Sequence, residues 1–158
     1  MKALIVYRSK HQGNTEKVAE AMAEVMDADL KKPEELNTED LEDYDFVGFG
    51  SGIYFRKHDE KVLGFVDDLP QMEGKDAFIV STSGLPKIPL VHEFERPLRD
   101  RLEGKGFEIV GSFDCRGVDH YSFFKYLGGI HRGKPDEGDL EDARDFARKL
   151  LEKVDRDG

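Results

Sequence analysis

The feature that most limits what this chain can fold into is its opening stretch, Met1-Lys-Ala-Leu-Ile-Val-Tyr-Arg-Ser-Lys-His-Gln-Gly-Asn-Thr15. Ala3 to Tyr7 is an unbroken apolar run, the pattern of a strand buried on both faces in a parallel sheet covered by helices. The run stops in a polar loop, Arg8 to Gln12. Past Gly13, Val18, Ala19, Met22, Val25 and Met26 recur at the spacing of a helix face. Strand, tight polar loop and helix N-terminus together make an anion site. The first-turn amides lack intrachain acceptors, and the helix dipole adds partial positive charge there. Ser9, Asn14 and Thr15 supply side-chain donors, and Gly13 lets the backbone approach a ligand closely. The stretch reads as a phosphate cradle. An ordinary βα turn capped by Asn14 or Thr15 is the plainer alternative.

The rest of the chain repeats that alternation. Ala28-Asp-Leu30 reads as a short, weakly apolar edge strand ended by Pro33, and Leu36 to Leu41 as a helical turn capped by Asn37 or Thr38. Phe46-Val-Gly-Phe-Gly50 is a second buried strand that breaks at Ser51-Gly-Ile-Tyr-Phe55. Val62, Leu63, Phe65, Val66 and Leu69 then mark a helix closed by Pro70. Ala77 to Val80 is the next buried strand. Val91, Phe94, Leu98 and Leu102 mark a helix with Pro97 inside it, which predicts a kink or a fresh helix start. Phe107 to Phe113 is the last strand. A long loop, Asp114 to Glu137, leads to a helix with Leu140, Ala143, Phe146, Ala147, Leu150, Leu151 and Val154 inward and Asp139 as its cap. Five strands alternating with helices, without repeats or linkers, imply one doubly wound α/β domain over residues 1–158.

Charge narrows the partners. The net charge of -10 repels nucleic-acid phosphates and anionic lipid, and a basic protein surface is its natural complement. No window has the length of a membrane span, and the N-terminus runs straight into a strand, so a cytoplasmic protein is expected, with no membrane insertion. One cysteine, Cys115, excludes an internal disulfide and a multi-cysteine metal site. The five histidines lack metal-ligand spacing and read as surface or core residues. No metal site is expected.

Ser9, Gly13, Asn14 and Thr15 resemble the first loop of the flavodoxin family, a Ser/Thr-rich run ending in Gly-Asn-Thr that binds the phosphate of FMN. The leading hydroxyl residue and the glycine stand four positions apart here, one more than is usual in the family. Lys10, His11 and Gln12 occupy positions where hydroxyl residues are common, and Lys10 adds a cation. The resemblance implies a flavodoxin-like, five-stranded parallel sheet in the order 2-1-3-4-5, with FMN in the crevice beside strands one and three.

In that topology two further loops reach the crevice. Ser51-Gly52-Ile53-Tyr54 brings a glycine turn and an aromatic ring, and Tyr54 is the candidate for stacking on a planar ligand. Packing of Tyr54 and Phe55 beneath the loop is the alternative, and for Phe55 the favoured one. Ser81-Thr82-Ser83-Gly84 offers hydroxyls and free amides suited to a flavin pyrimidine, with Leu85 and Pro86 where many flavodoxins carry a second covering tyrosine. The 114–137 loop gathers aromatics and cations, and it reads equally as functional or as a cover over the sheet edge. Arg116, Tyr121 and Arg132 are its residues to test.

Gly50-Ser-Gly-Ile-Tyr54, Ser81-Thr-Ser-Gly84 and Asp114-Cys-Arg-Gly117, with Gly128-Gly-Ile130 and Gly133-Lys-Pro135, are similar to a flavodoxin-domain subgroup. That subgroup includes menaquinone-dependent protoporphyrinogen oxidases and electron carriers. The resemblance implies FMN without separating the two activities; an FMN-binding electron carrier is the expected function, with an oxidoreductase acting on a quinone or porphyrinogen as one alternative and a binding module without FMN as another. Catalytic side chains are not required, because the flavin carries the redox chemistry. Two other readings fail on the residues. A phosphorylated receiver domain needs acids where Tyr7-Arg8-Ser9 and Gly50-Ser51-Gly52 stand, and no Gly-x-Ser-x-Gly elbow marks a hydrolase.

Overall fold

Five of the strands lie parallel in one sheet, and the alternation of apolar runs and helix faces accounts for its layers. The computed structural model describes residues 2–9, 14–54, 57–82, 91–115 and 137–157. Chain order is β1 (Ala3–Arg8), α1 (Asn14–Met26), β2 (Asp29–Lys31), β3 (Phe46–Tyr54), β4 (Lys57–His58), α2 (Glu60–Asp67), β5 (Asp76–Thr82), α3 (Val91–Gly104), β6 (Glu108–Cys115) and α4 (Glu137–Asp157). The sheet runs β2-β1-β3-β5-β6. Counting the parallel strands alone, that is the expected 2-1-3-4-5. β4 is an addition that pairs antiparallel with the end of β3.

Alternate residues of each central strand feed two cores, as the period of two requires. Ile5, Tyr7, Phe46, Phe78 and Val80 face α1 and α4, while Leu4, Val6, Val47, Phe49 and Ile79 face α2 and α3. The glycines of Phe46-Val-Gly-Phe-Gly50 belong to the first face. A methyl at Gly48 would stand 2.2 Å from the Phe78 ring, which lies across the strand at that point. Phe78 in turn meets Phe46 and Phe146 at centroid distances of 6.0 and 6.2 Å. Space for a ring from β5, rather than a turn, accounts for that glycine.

Local chemistry sets the element ends. Asp27 follows α1 at φ 53°, and the Ala28 amide closes back on the Ala23 carbonyl at 3.0 Å, a left-handed helix stop. β2 is short, and the Asp29 carboxylate accepts the Tyr44 hydroxyl at 2.6 Å. Two 3-10 turns, Pro33–Glu35 and Thr38–Asp43, lead on to β3. Asn37 precedes the second and donates its amide to Asp40 at 2.9 Å.

Five expectations need correction. β3 does not break at Ser51 but continues to Tyr54, because neighbouring strands satisfy its backbone through Ser51 and Gly52. β5 likewise continues through Ser81 and Thr82. Pro97 lies inside an uninterrupted α3, so no fresh helix starts there. Asp139 stands in the first turn of α4 rather than capping it, and Asp114 and Cys115 belong to β6 rather than to the long loop. Among the described residues no helix is long and apolar enough to cross a membrane.

Candidate functional site

The carboxyl ends of β1, β3, β5 and β6 meet at one edge of the sheet, in a register that brings the separate sequence candidates together. Arg8 stands opposite Ser51, Ser51 opposite Ser81, and Gly52 opposite Thr82, which pairs onward with Cys115. Parallel strands aligned this way bring their ends to the same edge, and the helix that follows β1 starts beside the ends of its neighbours.

The described residues on either side of the first candidate loop are held by hydroxyls. Ser9 Oγ accepts the Glu16 amide at 3.3 Å, which ties the end of β1 to the first turn of α1. Tyr7 strengthens that tie by donating its hydroxyl to Glu16 Oε1 at 3.2 Å. Burial, and then the Glu16 charge, push the phenol up to about 12. Thr15 is buried, and its hydroxyl shares a 2.7 Å hydrogen bond with that of Thr82. The two hydroxyls therefore serve first to fix α1 against β5. Asn14 differs: its side-chain oxygen is buried without a hydrogen-bond partner among the described residues. Lys10, His11, Gln12 and Gly13 lie outside the described residues, as do Ser83 and Gly84.

On the opposite face of the sheet, beneath the end of β3, is a buried polar cluster that the sequence did not reveal. Ser51 is fully buried; its hydroxyl donates to the Gly52 carbonyl at 2.7 Å and accepts the Asp59 amide at 2.8 Å. Asp59 caps α2, its Oδ1 accepting the Lys61 amide at 2.8 Å. Its Oδ2 lies 4.0 Å from Arg8 Nε, and Arg8 also reaches Glu34 at 3.1 Å. His58 is 1 % exposed. Its Nε2 lies 3.2 Å from the Val80 carbonyl oxygen and 3.0 Å from Ser81 Oγ. A carbonyl can only accept, so Nε2 is the donor in that contact. Burial pushes the imidazole down to about 4, against the opposing pull of the Val80 carbonyl.

A signal for Asp59 was present in the sequence, since an aspartate directly before the apolar period of Val62 to Leu69 is a cap signature. His58 had no such signal. Of the ring-side candidates, Gly52 is buried and Ile53 half-buried, and Tyr54 ends β3 opposite Lys57. Arg116, Tyr121 and Arg132 fall outside the described residues.

The flavodoxin domain model matches residues 4–105. An uncharacterised protein of Methanocaldococcus jannaschii is 43% identical over 151 residues, covering 96% of this chain and 99% of that protein. Among solved structures, oxidised flavodoxin 2 of Bacillus cereus superposes with a TM-score of 0.68 at 23% identity, covering 97% of this chain and 99% of the other. A flavodoxin of Streptococcus pneumoniae superposes at 0.69 and 18% identity, again covering 97% and 99%. With the strand order and the Gly-Asn-Thr turn before them, these matches establish that the chain belongs to the flavodoxin-domain family.

Proposed function

We propose that the protein binds FMN at the carboxyl edge of its sheet and carries electrons. The observation that carries this reading is Asn14, a half-buried side chain whose oxygen is buried without a hydrogen-bond partner among the described residues, at the first turn of α1, where a phosphate would meet the helix dipole. A half-turn of the amide exchanges its acceptor for a donor, so the group fits a phosphate oxygen. Ser9, Lys10, His11, Gln12, Gly13 and Thr15 would complete the phosphate loop. Gly52, Ile53 and Tyr54 would flank one side of the ring, and Thr82, Ser83 and Gly84 would face its polar edge. Bound FMN supplies the redox chemistry; the chain supplies affinity, ring orientation and local charge.

Electron carriage to a basic protein partner is supported by the net charge of -10 and by the exposed Glu34, Glu35, Glu39, Glu42 and Asp43 between β2 and β3. The subgroup resemblance also admits a second reading, an FMN-dependent oxidoreductase acting on a quinone or porphyrinogen. Reductive titration separates the two. Two resolved one-electron steps support the carrier, and a single two-electron step with quinone turnover supports the oxidoreductase.

Asn14→Asp tests the phosphate end. A carboxylate at a helix N-terminus stabilises the helix by about 0.3–1 kcal/mol but repels a phosphate. The variant is expected to be no less stable than the parent, to lose at least about tenfold in FMN affinity, roughly 1.4 kcal/mol, and to keep its riboflavin affinity. Equal affinity of the parent for FMN and riboflavin would overturn the phosphate cradle.

A further inference from the structure

Among the described residues, β3 extends past its neighbours. Its ladder with β1 ends at Arg8 opposite Ser51, and its ladder with β5 ends at Gly52 opposite Thr82. Beyond Gly52, the described ladder is with β4 alone, Ile53 opposite His58 and Tyr54 opposite Lys57. The backbone of Ile53 and Tyr54 therefore goes where β4 holds it. β4 has two residues, far too few to hold a position through its own ladder.

Two side-chain ties anchor it. The imidazole of His58 reaches across to the end of β5, at 3.2 Å from the Val80 carbonyl and 3.0 Å from the Ser81 hydroxyl. One residue on, the Asp59 amide donates to the Ser51 hydroxyl at 2.8 Å, and that hydroxyl donates to the Gly52 carbonyl at 2.7 Å. Ser51 and Ser81 are paired across β3 and β5, so both ties land on one level of the sheet. Every side chain in them is buried: Ser51 and Ser81 are 0 % exposed and His58 is 1 % exposed. Buried ties have no water to replace them when one partner is removed.

We infer that His58 is a positioning residue, which touches no ligand itself but fixes the path of Gly52, Ile53 and Tyr54 by fastening β4 to the end of β5. The inference rests on the flavin reading for what that segment holds, and it names the residue that sets the ring side of the site. It is separate from the phosphate end, which is built on α1. A defect at His58 should therefore weaken FMN and riboflavin by the same factor, unlike a defect at Asn14.

The test uses the full chain without added flavin and then with it. In the flavin-free protein, His58→Leu is expected to accelerate amide hydrogen exchange across residues 52–58 at least about tenfold, with the amides of Val47 and Phe49 unchanged. With flavin, the dissociation constants for FMN and riboflavin should rise together, by roughly threefold to tenfold for one lost buried hydrogen bond. His58→Gln should restore most of both, because its side-chain N–H stands the same number of bonds from the backbone as Nε2. Ser81→Ala removes one partner from the other side and should move both readouts in the same direction by less, which serves if His58→Leu does not fold. Exchange that rises uniformly over the sheet, or a lowered melting temperature with unchanged exchange at 52–58, would show that His58 only fills space and would overturn the inference. If the parent binds neither flavin, the FMN reading falls on that result alone, and the exchange pattern still decides the role of His58.

Discussion

The hydroxyls of Thr15, in the first turn of α1, and Thr82, the last residue of β5, lie 2.7 Å apart in the interior. This single contact joins two of the three loops predicted to meet at the crevice, across 67 residues of sequence. Thr15→Val keeps the shape and removes the hydroxyl, leaving that of Thr82 buried and alone. The expected loss is about 1–3 kcal/mol, with Thr82→Val similar. The double variant should lose less than the sum of the two, because neither site then carries an unpaired hydroxyl. Urea unfolding of the four proteins measures the difference, and strict additivity would show that the contact contributes nothing.

His58 gives the protein an acid sensitivity of known sign. Its folded value, about 4, lies below its ordinary 6.5, so the unfolded chain binds the proton first as pH falls. The associated stability is complete above about pH 6.5 and is lost progressively toward pH 4, by up to about 3 kcal/mol in all. His58→Gln has no proton to take up and should flatten that part of the profile. Urea midpoints of parent and variant at pH 7 and pH 5 test it; parallel declines would mean that other groups govern acid unfolding.

Gly48 is expected to tolerate no side chain. A methyl 2.2 Å from the Phe78 ring must displace it, and the ring is itself packed on Phe46 and Phe146. Gly48→Ala should cost about 2 kcal/mol or more in overpacking. Adding Phe78→Leu should return part of that loss, which thermal unfolding of the single and double variants would reveal.

The sequence made the scaffold readable and the far ends of its strands obscure. Ala3 to Tyr7 and Ala77 to Val80 declare themselves because burial on both faces demands continuous apolar residues. Ser51-Gly52 carries β3 onward and Ser81-Thr82 carries β5 onward, but their small polar side chains bond to backbone, to His58 and to Thr15, so no apolar marker records the continuation. The same cause hid His58. A histidine between a lysine and an aspartate looks exposed on composition, and only its placement under β5 makes it a core residue. Asn14 was legible as a candidate because a Gly-Asn-Thr turn between strand and helix has local meaning that needs no distant partner.

At the outer margin of the sheet, the brevity of β2 has a consequence for how these molecules behave in crowded solution. A strand from a second molecule arriving there would find a template of only three residues, Asp29, Leu30 and Lys31, with the two outer side chains exposed and of opposite charge. The chain that follows carries exposed Glu34, Glu35 and Glu39, carboxylates that repel the same segment of an identical neighbour. Edge-to-edge growth into fibres is thereby denied a starting point at this flank, one of the two outer strands of the sheet, with β6 at the other.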